Sequence, residues 1–191
     1  MQYLIIISAP SGTGKTTLCK ALRKVIPEIN WSVSYTTREI RLTEIDGKDY
    51  HFISNKKFKS FIKSNYFAEW ENVHGKLYGT RRDFLEDAIF NENYLLLEMD
   101  VKGAMTIKKL YSQNTFSIFI VPPSINHLRE RLINRGTESL EKIDVRLKRF
   151  KEEMGYSNKF DHIMVNENLD LAKIELIKII NTIKKGVSNG T

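Results

Sequence analysis

A single cysteine, Cys19, excludes an internal disulfide, so the 191-residue chain is not a small cross-linked secreted scaffold. Long apolar runs are missing too. The longest, at residues 3–7 and 94–97, fall far short of the roughly 20 residues that cross a bilayer. The start of the chain lacks the basic residues, apolar stretch and small-residue cleavage site of a secretory signal. These absences lead to the expectation of a cytoplasmic protein with no membrane association. No internal repeat or low-complexity tract stands out, and residues 186–191 read as a frayed end.

What is there is ordinary in bulk: 41% hydrophobic and 28% charged residues, enough for one domain, or one core with inserted lobes, with its own hydrophobic core. The formal net charge is +7. That suits a nucleic-acid binder, an enzyme of phosphorylated substrates, or lysine-rich solvated helix faces such as residues 56–63 and 173–185. A single-strand binder would interleave its basic residues with exposed aromatics along one groove. That pattern is not seen, and no nucleic-acid partner is expected. Bulk charge alone selects nothing.

Residues 3–8 are a continuous β-prone run, as in a strand buried on both faces. Further strands are predicted at 30–36, 67–73, 94–100, 115–121 and 163–165. Helices are predicted at 15–25, 55–64, 80–91, 103–111, 124–134, 139–153 and 169–184, with Ser124 as an N-cap. Asp46-Gly47 marks a turn. Apolar strands alternating with helices imply an α/β fold with a parallel sheet flanked by helices. The polar stretch at about 36–85 reads as an inserted lobe, and the Arg- and Glu-dense stretch at about 124–154 as a mobile lid. The core is then about 1–35, 86–123 and 155–191.

Ala9-Pro10-Ser11-Gly12-Thr13-Gly14-Lys15-Thr16 follows the first strand and opens a helix. It resembles the phosphate-binding pattern G-x-x-x-x-G-K-[ST], with Ala9 in place of the first glycine. Glycines let several N–H groups turn inward, and the helix N-terminus adds positive partial charge, so the loop can hold an anion. Lys15 would reach the β- and γ-phosphates, and the Thr16 hydroxyl would ligate Mg²⁺ with phosphates and water. By itself this says only that a nucleoside triphosphate is bound.

Ser34-Tyr35-Thr36-Thr37-Arg38-Glu39-Ile40-Arg41 follows, with Glu44, Gly47, Tyr50 and Phe52 beyond it. Two arginines three apart can converge on one phosphate, and their planar forks suit its oxygens. Together with the block from Glu69 to Thr80 (Glu-Trp-Glu-Asn-Val-His-Gly-Lys-Leu-Tyr-Gly-Thr), residues 97–104 and 118–147, the chain resembles the guanylate kinases over about residues 3–184. The resemblance implies a P-loop kinase core that transfers the γ-phosphoryl group of ATP to GMP, and also to dGMP, with Mg²⁺.

The resemblance assigns the loop residues Ser11, Gly12, Thr13, Gly14, Lys15, Thr16 and Thr17, with Asn166, to ATP. It assigns Arg38, Arg41, Tyr50 and Tyr78 to the GMP phosphate, and Ser34, Glu69 and Thr80 to the base. Asp100 falls between the two nucleotides, near Mg²⁺ and the GMP ribose; a helix cap is its plainer reading. Arg131, Arg135 and Arg146 become lid arginines that close over the ATP phosphates. Glu69 could accept from guanine N1–H and N2–H together, while Ser34 and Thr80 donate to O6. Adenine would leave those groups unpaired. His74 is assigned to packing or loop shaping. Glu98 is left out as pointing the other way along its strand, and Arg129 and Arg149 are taken as ordinary exposed charges.

The chain departs from the family pattern at Ala9, at Leu42-Thr43 in place of Pro-Gly, and at Arg81 and Lys102. The alternatives are an inactive guanylate-kinase-like binding module and a related kinase with another acceptor, such as a ribose bisphosphate kinase. The retained Lys15 and arginines oppose the first, and the base-reading set opposes the second. Monomer and homodimer both stay open.

Overall fold

A computed structural model of the chain describes residues 3–73, 75–134 and 139–186. In chain order its first half runs β1 (Leu4–Ser8), α1 (Lys15–Val25), β2 (Asn30–Ser32), β3 (Tyr35–Thr36), β4 (His51–Phe52), α2 (Asn55–Lys63), β5 (Phe67–Val73) and β6 (Lys76–Arg81). The second half runs α3 (Arg82–Phe90), β7 (Leu95–Met99), α4 (Val101–Leu110), β8 (Thr115–Val121), α5 (Ile125–Asn134), α6 (Leu140–Met154), β9 (His162–Val165) and α7 (Leu169–Gly186).

The central sheet has the order β2-β7-β1-β8-β9, and every neighbouring pair is parallel. Its interior strands need apolar side chains on both faces, so β1 is buried along its whole length. Ile5 and Ile7 face one layer, where Leu18 and Leu22 of α1 and Leu176 and Ile180 of α7 pack. Leu4 and Ile6 face the other, against Leu85 of α3 and Ala104 and Ile107 of α4. Each of these leucines and isoleucines contributes roughly 1.5–3 kcal/mol on burial. No helix among the described residues is long and apolar enough to cross a membrane.

A second sheet has the order β4-β3-β6-β5. Its β3–β6 and β5–β6 pairs are antiparallel. It has its own aromatic core: Phe58, fully buried, stacks near Phe67, and Tyr35, Phe61 and Tyr66 close around them. α5 and α6 form a third unit around Leu128, Leu132, Ile143 and Phe150.

The strand expected at residues 30–36 is two strands in two sheets. β2 joins the core through β7, and β3 joins the second sheet through β6. The helix expected from residue 80 begins at Arg82, because Thr80 and Arg81 complete β6. β6 contains Gly79 and has little strand propensity of its own; its pairing with β5 makes it a strand.

Candidate active site

The carboxyl ends of the parallel strands are where an open α/β sheet gathers ligands, and the expected site residues converge there. β1 ends at Ser8 and the chain enters α1 at Lys15. Gly12 and Gly14 both take φ 93°, a left-handed conformation that glycine adopts without strain. Ala9 needs no such freedom, so its substitution for glycine leaves the loop intact. Gly14 precedes α1 with no side-chain cap, which leaves the first N–H groups of the helix for an anion. Ser11, Gly12, Gly14, Lys15, Thr16 and Thr17 line a cavity of about 400 Å³. Thr13 is buried beneath it, with its hydroxyl donating to the Pro10 carbonyl at 2.9 Å. Thr13 shapes the loop rather than facing the cavity.

Asn166, expected on the ATP side, is buried under the same loop and donates through Nδ2 to the Thr13 carbonyl at 2.7 Å. A Cβ on Gly14 would lie 2.7 Å from that nitrogen. The residue braces the loop from β9.

A second cavity, of about 180 Å³, adjoins the first. Ser34, Tyr50, Glu69 and Tyr78 line it, and Lys15, Val73 and Asp100 line both. Glu69 reaches it because a bulge at Ala68 breaks the β5–β6 register: Phe67 pairs with Arg81, and Glu69 with Thr80. The bulge sends Ala68 into the central core and leaves the Glu69 carboxylate against the first turn of α4. Gly103 makes the room, since a Cβ there would stand 2.9 Å from Glu69 Oε2. Thr80 donates to Glu69 Oε1 at 2.5 Å, so here its hydroxyl orients the carboxylate. Burial pushes the Glu69 carboxyl up to about 8, with Asp100 and Glu71 adding to the effect and Thr80 opposing it. Burial, with Glu98 nearby, also pushes the Tyr50 phenol up, which keeps it a protonated donor.

Arg38 and Arg41 line a third cavity, which shares Ser34, Tyr50 and Tyr78 with the second. Arg38 forks onto Glu44, with Nη1 at 2.9 Å and Nη2 at 2.8 Å from its two oxygens. The Arg41 N–H donates to the same carboxylate at 2.9 Å, and the Arg41 side chain is 73% exposed. Burial raises the Glu44 carboxyl, but Arg38 and the Arg41 N–H outweigh it and hold it below the usual range. Glu44 thus occupies the fork that a phosphate would take, a role its sequence position alone did not reveal. The Arg41–Glu44 turn closes through Glu44 N–H to the Arg41 carbonyl at 3.0 Å. Neither Leu42 nor Thr43 needs a positive φ there, so Pro-Gly is not required.

At the end of β7, Asp100 caps α4, accepting from Lys102 and Gly103 N–H. It also lines the first two cavities, so capping α4 and facing the space between them are compatible. The exclusion of Glu98 does not stand. Residues two apart on a strand share a face, and Glu98 faces the second and third cavities, accepting from the Thr16 hydroxyl at 2.9 Å. Lys15 Nζ donates to the Met99 carbonyl at 2.9 Å.

Of the lid arginines, Arg146 donates to the Ser11 hydroxyl and lines the loop cavity. Arg131 is held elsewhere, donating to the Asn166 and Glu167 carbonyls at 2.9 and 2.8 Å. Arg135 and His74 lie outside the described residues.

The glycine-rich loop cavity opens onto a tyrosine- and carboxylate-lined pocket, and the proteins of similar sequence point to one family. The guanylate kinase family profile matches residues 1–183. A curated guanylate kinase of Thermotoga maritima is 44% identical over 94% of this chain and 86% of its own length. One of Wolinella succinogenes is 42% identical over 92% of this chain and 82% of its own. The crystal structure of guanylate kinase from Anaplasma phagocytophilum aligns with TM-score 0.77 and 30% identity, covering 95% of this chain and 85% of that one. On the fold, the site and these likenesses together, the chain belongs to the guanylate kinase family.

Proposed function

We propose that the chain binds ATP at the loop of residues 9–17 and GMP in the adjoining pocket, and transfers the γ-phosphoryl group between them in line. The observation that carries this is the meeting of the two cavities at Lys15, Val73 and Asp100. It lets a donor and an acceptor phosphate approach without water between them. The acceptor is an ionised phosphate oxygen, already a competent nucleophile, so no strong general base is needed. Lys15, Arg146 and, after closure, Arg131 and Arg135 offset the charge that spreads over the transferred group.

Arg38 and Arg41, with the Tyr50 and Tyr78 hydroxyls, hold the GMP phosphate, which displaces Glu44 from the Arg38 fork. Glu69, oriented by Thr80, accepts from guanine N1–H and N2–H, and Ser34 donates to O6. Hard oxygen donors at Thr16, Glu98 and Asp100 fit Mg²⁺, which is held by few protein groups beside phosphates and water. Thr16 would ligate it, with Glu98 and Asp100 on its water shell; bound there, it neutralises phosphate charge. The buried, unpaired Cys19 suits a reducing compartment and supports a cytoplasmic location.

The test is ADP release from Mg-ATP with GMP, dGMP, AMP, UMP, CMP and dTMP offered singly. Turnover is expected with GMP, and more slowly with dGMP. Faster turnover with any other acceptor would overturn the roles given to Ser34, Glu69 and Thr80. Lys15→Met should stay folded and lose turnover by at least about a thousandfold. Near-normal turnover in that variant would refute the mechanism.

A further inference from the structure

The loop cavity has a wall that these roles use only at Arg146. Arg146, Arg149 and Glu153 of α6 all face it. Spacings of three and four put them on one helix face. Arg149, an ordinary exposed charge by sequence, has a side chain only 27% exposed, and its Nε donates to Glu153 Oε1 at 2.7 Å. Glu153 is itself buried, at 7% exposure, and its Oε2 has no hydrogen-bond partner among the described residues. Burial raises its carboxyl, and Arg149, with the Ser11 N–H of the loop, only partly opposes this.

A buried carboxylate with an unmatched oxygen is destabilising. The apolar cluster of α5 and α6, built on Leu128, Leu132, Ile143 and Phe150, does not include this pair. A helix-stabilising i,i+4 pair would do its work equally well on the solvated face. Placed against an anion-binding loop, the pair has a different use. A carboxylate on Nε fixes the guanidinium plane from one side, and the terminal Nη edge can then fork onto phosphate oxygens.

We infer that Arg149 is a further ligand of the ATP phosphates and that Glu153 is the residue that positions it. This rests on the reading of the loop cavity as the ATP site. Arg149 then acts beside Arg146 from the same helix, and closure of α5 and α6 brings both to the phosphates at once. Glu153 acts only through Arg149.

The experiment compares kcat and KM for ATP and for GMP in the unaltered protein, Arg149→Gln, Arg149→Lys, Glu153→Ala and the Arg149→Gln/Glu153→Ala double variant, with thermal melts on each. Arg149→Gln should raise the ATP KM about tenfold and leave the GMP KM within about twofold, and Arg149→Lys should recover part of the loss. Glu153→Ala should raise the ATP KM about threefold or more alone, and add nothing in the Arg149→Gln background. An unchanged ATP KM and kcat in folded Arg149→Gln overturns the ligand role. Equal effects of Glu153→Ala in both backgrounds overturn the positioning role. If Glu153→Ala does not fold, Glu153→Gln replaces it in both backgrounds. ATP binding by Lys15→Met, measured by calorimetry, separates the two levels: undiminished binding there refutes the cavity reading itself.

Discussion

Glu69 sits where charge is penalised, at 8% exposure and with Asp100 nearby, yet the guanine contact proposed for it needs a carboxylate. With its carboxyl pushed up to about 8, the free protein carries a proton there at neutral pH that GMP must expel. GMP affinity should therefore rise by about fivefold from pH 7 to 8 and level off by about pH 9. Glu69→Gln should bind weakly with no rise in that window. Calorimetric GMP titrations at pH 7, 8 and 9 decide it, and a flat profile in the unaltered protein defeats the assignment. The stability sign is the reverse. A raised folded-state value means that the contribution of protonated Glu69 is fully present below about 4.5 and is lost as pH rises through about 8. Gly103 belongs to the same argument, since a Cβ there would stand 2.9 Å from Glu69 Oε2. Gly103→Ala should raise the GMP KM about tenfold or more with the ATP KM unchanged, because only the carboxylate is displaced. Steady-state kinetics with each substrate varied would check this, and equal losses for both substrates would contradict it.

Among the elements, the second sheet depends on a glycine in β6. A Cβ on Gly79 would meet ring atoms of Phe58 and Phe67 at 3.0 Å. Gly79→Ala should cost about 1–3 kcal/mol by overpacking and, if the acceptor site lies in this lobe as proposed, weaken GMP binding more than ATP binding. The core sheet has a polar tie of its own. Asp161, just before β9, accepts from Ser117 N–H at 2.8 Å, from the Ser117 hydroxyl at 2.7 Å and from Lys108 Nζ at 2.7 Å. Asp161→Ala should lower stability by about 2–3 kcal/mol, read in a thermal melt or urea titration, by leaving the buried Ser117 N–H unmatched and removing the carboxylate from Lys108 Nζ, which keeps Ser117 Oγ and the Lys159 carbonyl. Periodicity revealed β1, β7 and β8 because interior parallel strands are apolar throughout. It could not reveal the division at residues 30–36, because Val33 and Ser34 carry no turn signal. The change of sheet there is imposed by two different partners, β7 and β6.

Over the whole molecule, the cationic groups of the site rest on protein oxygens: Lys15 on the Met99 carbonyl, Arg38 on Glu44, Arg131 on the Asn166 and Glu167 carbonyls, and Arg146 on the Ser11 hydroxyl. On the proposed mechanism, nucleotide binding would exchange one set of charge-assisted bonds for another and pull the unit of α5 and α6, with its separate core, toward the loop. Amide hydrogen exchange should slow across residues 125–134 and 140–154 when a non-hydrolysable ATP analogue binds, with little change in β1. Uniform slowing across the chain would argue against a separate lid motion.

The sequence by itself determined the parallel α/β class, the phosphate loop and the identity of most residues around the two cavities. Buried strands, tight glycine turns and phosphate contacts each demand particular residue types at short spacing. Only the tertiary structure decided what depends on distant segments meeting. Glu98 reaches Thr16 across 82 residues, Asn166 braces Thr13 across 153, and the Ala68 bulge aims Glu69 at Gly103. Glu44 fills the Arg38 fork, and Arg149 lies against the phosphate loop. A side chain's hydrogen-bond partner and burial follow from what packs over it, and no local pattern of the chain encodes that.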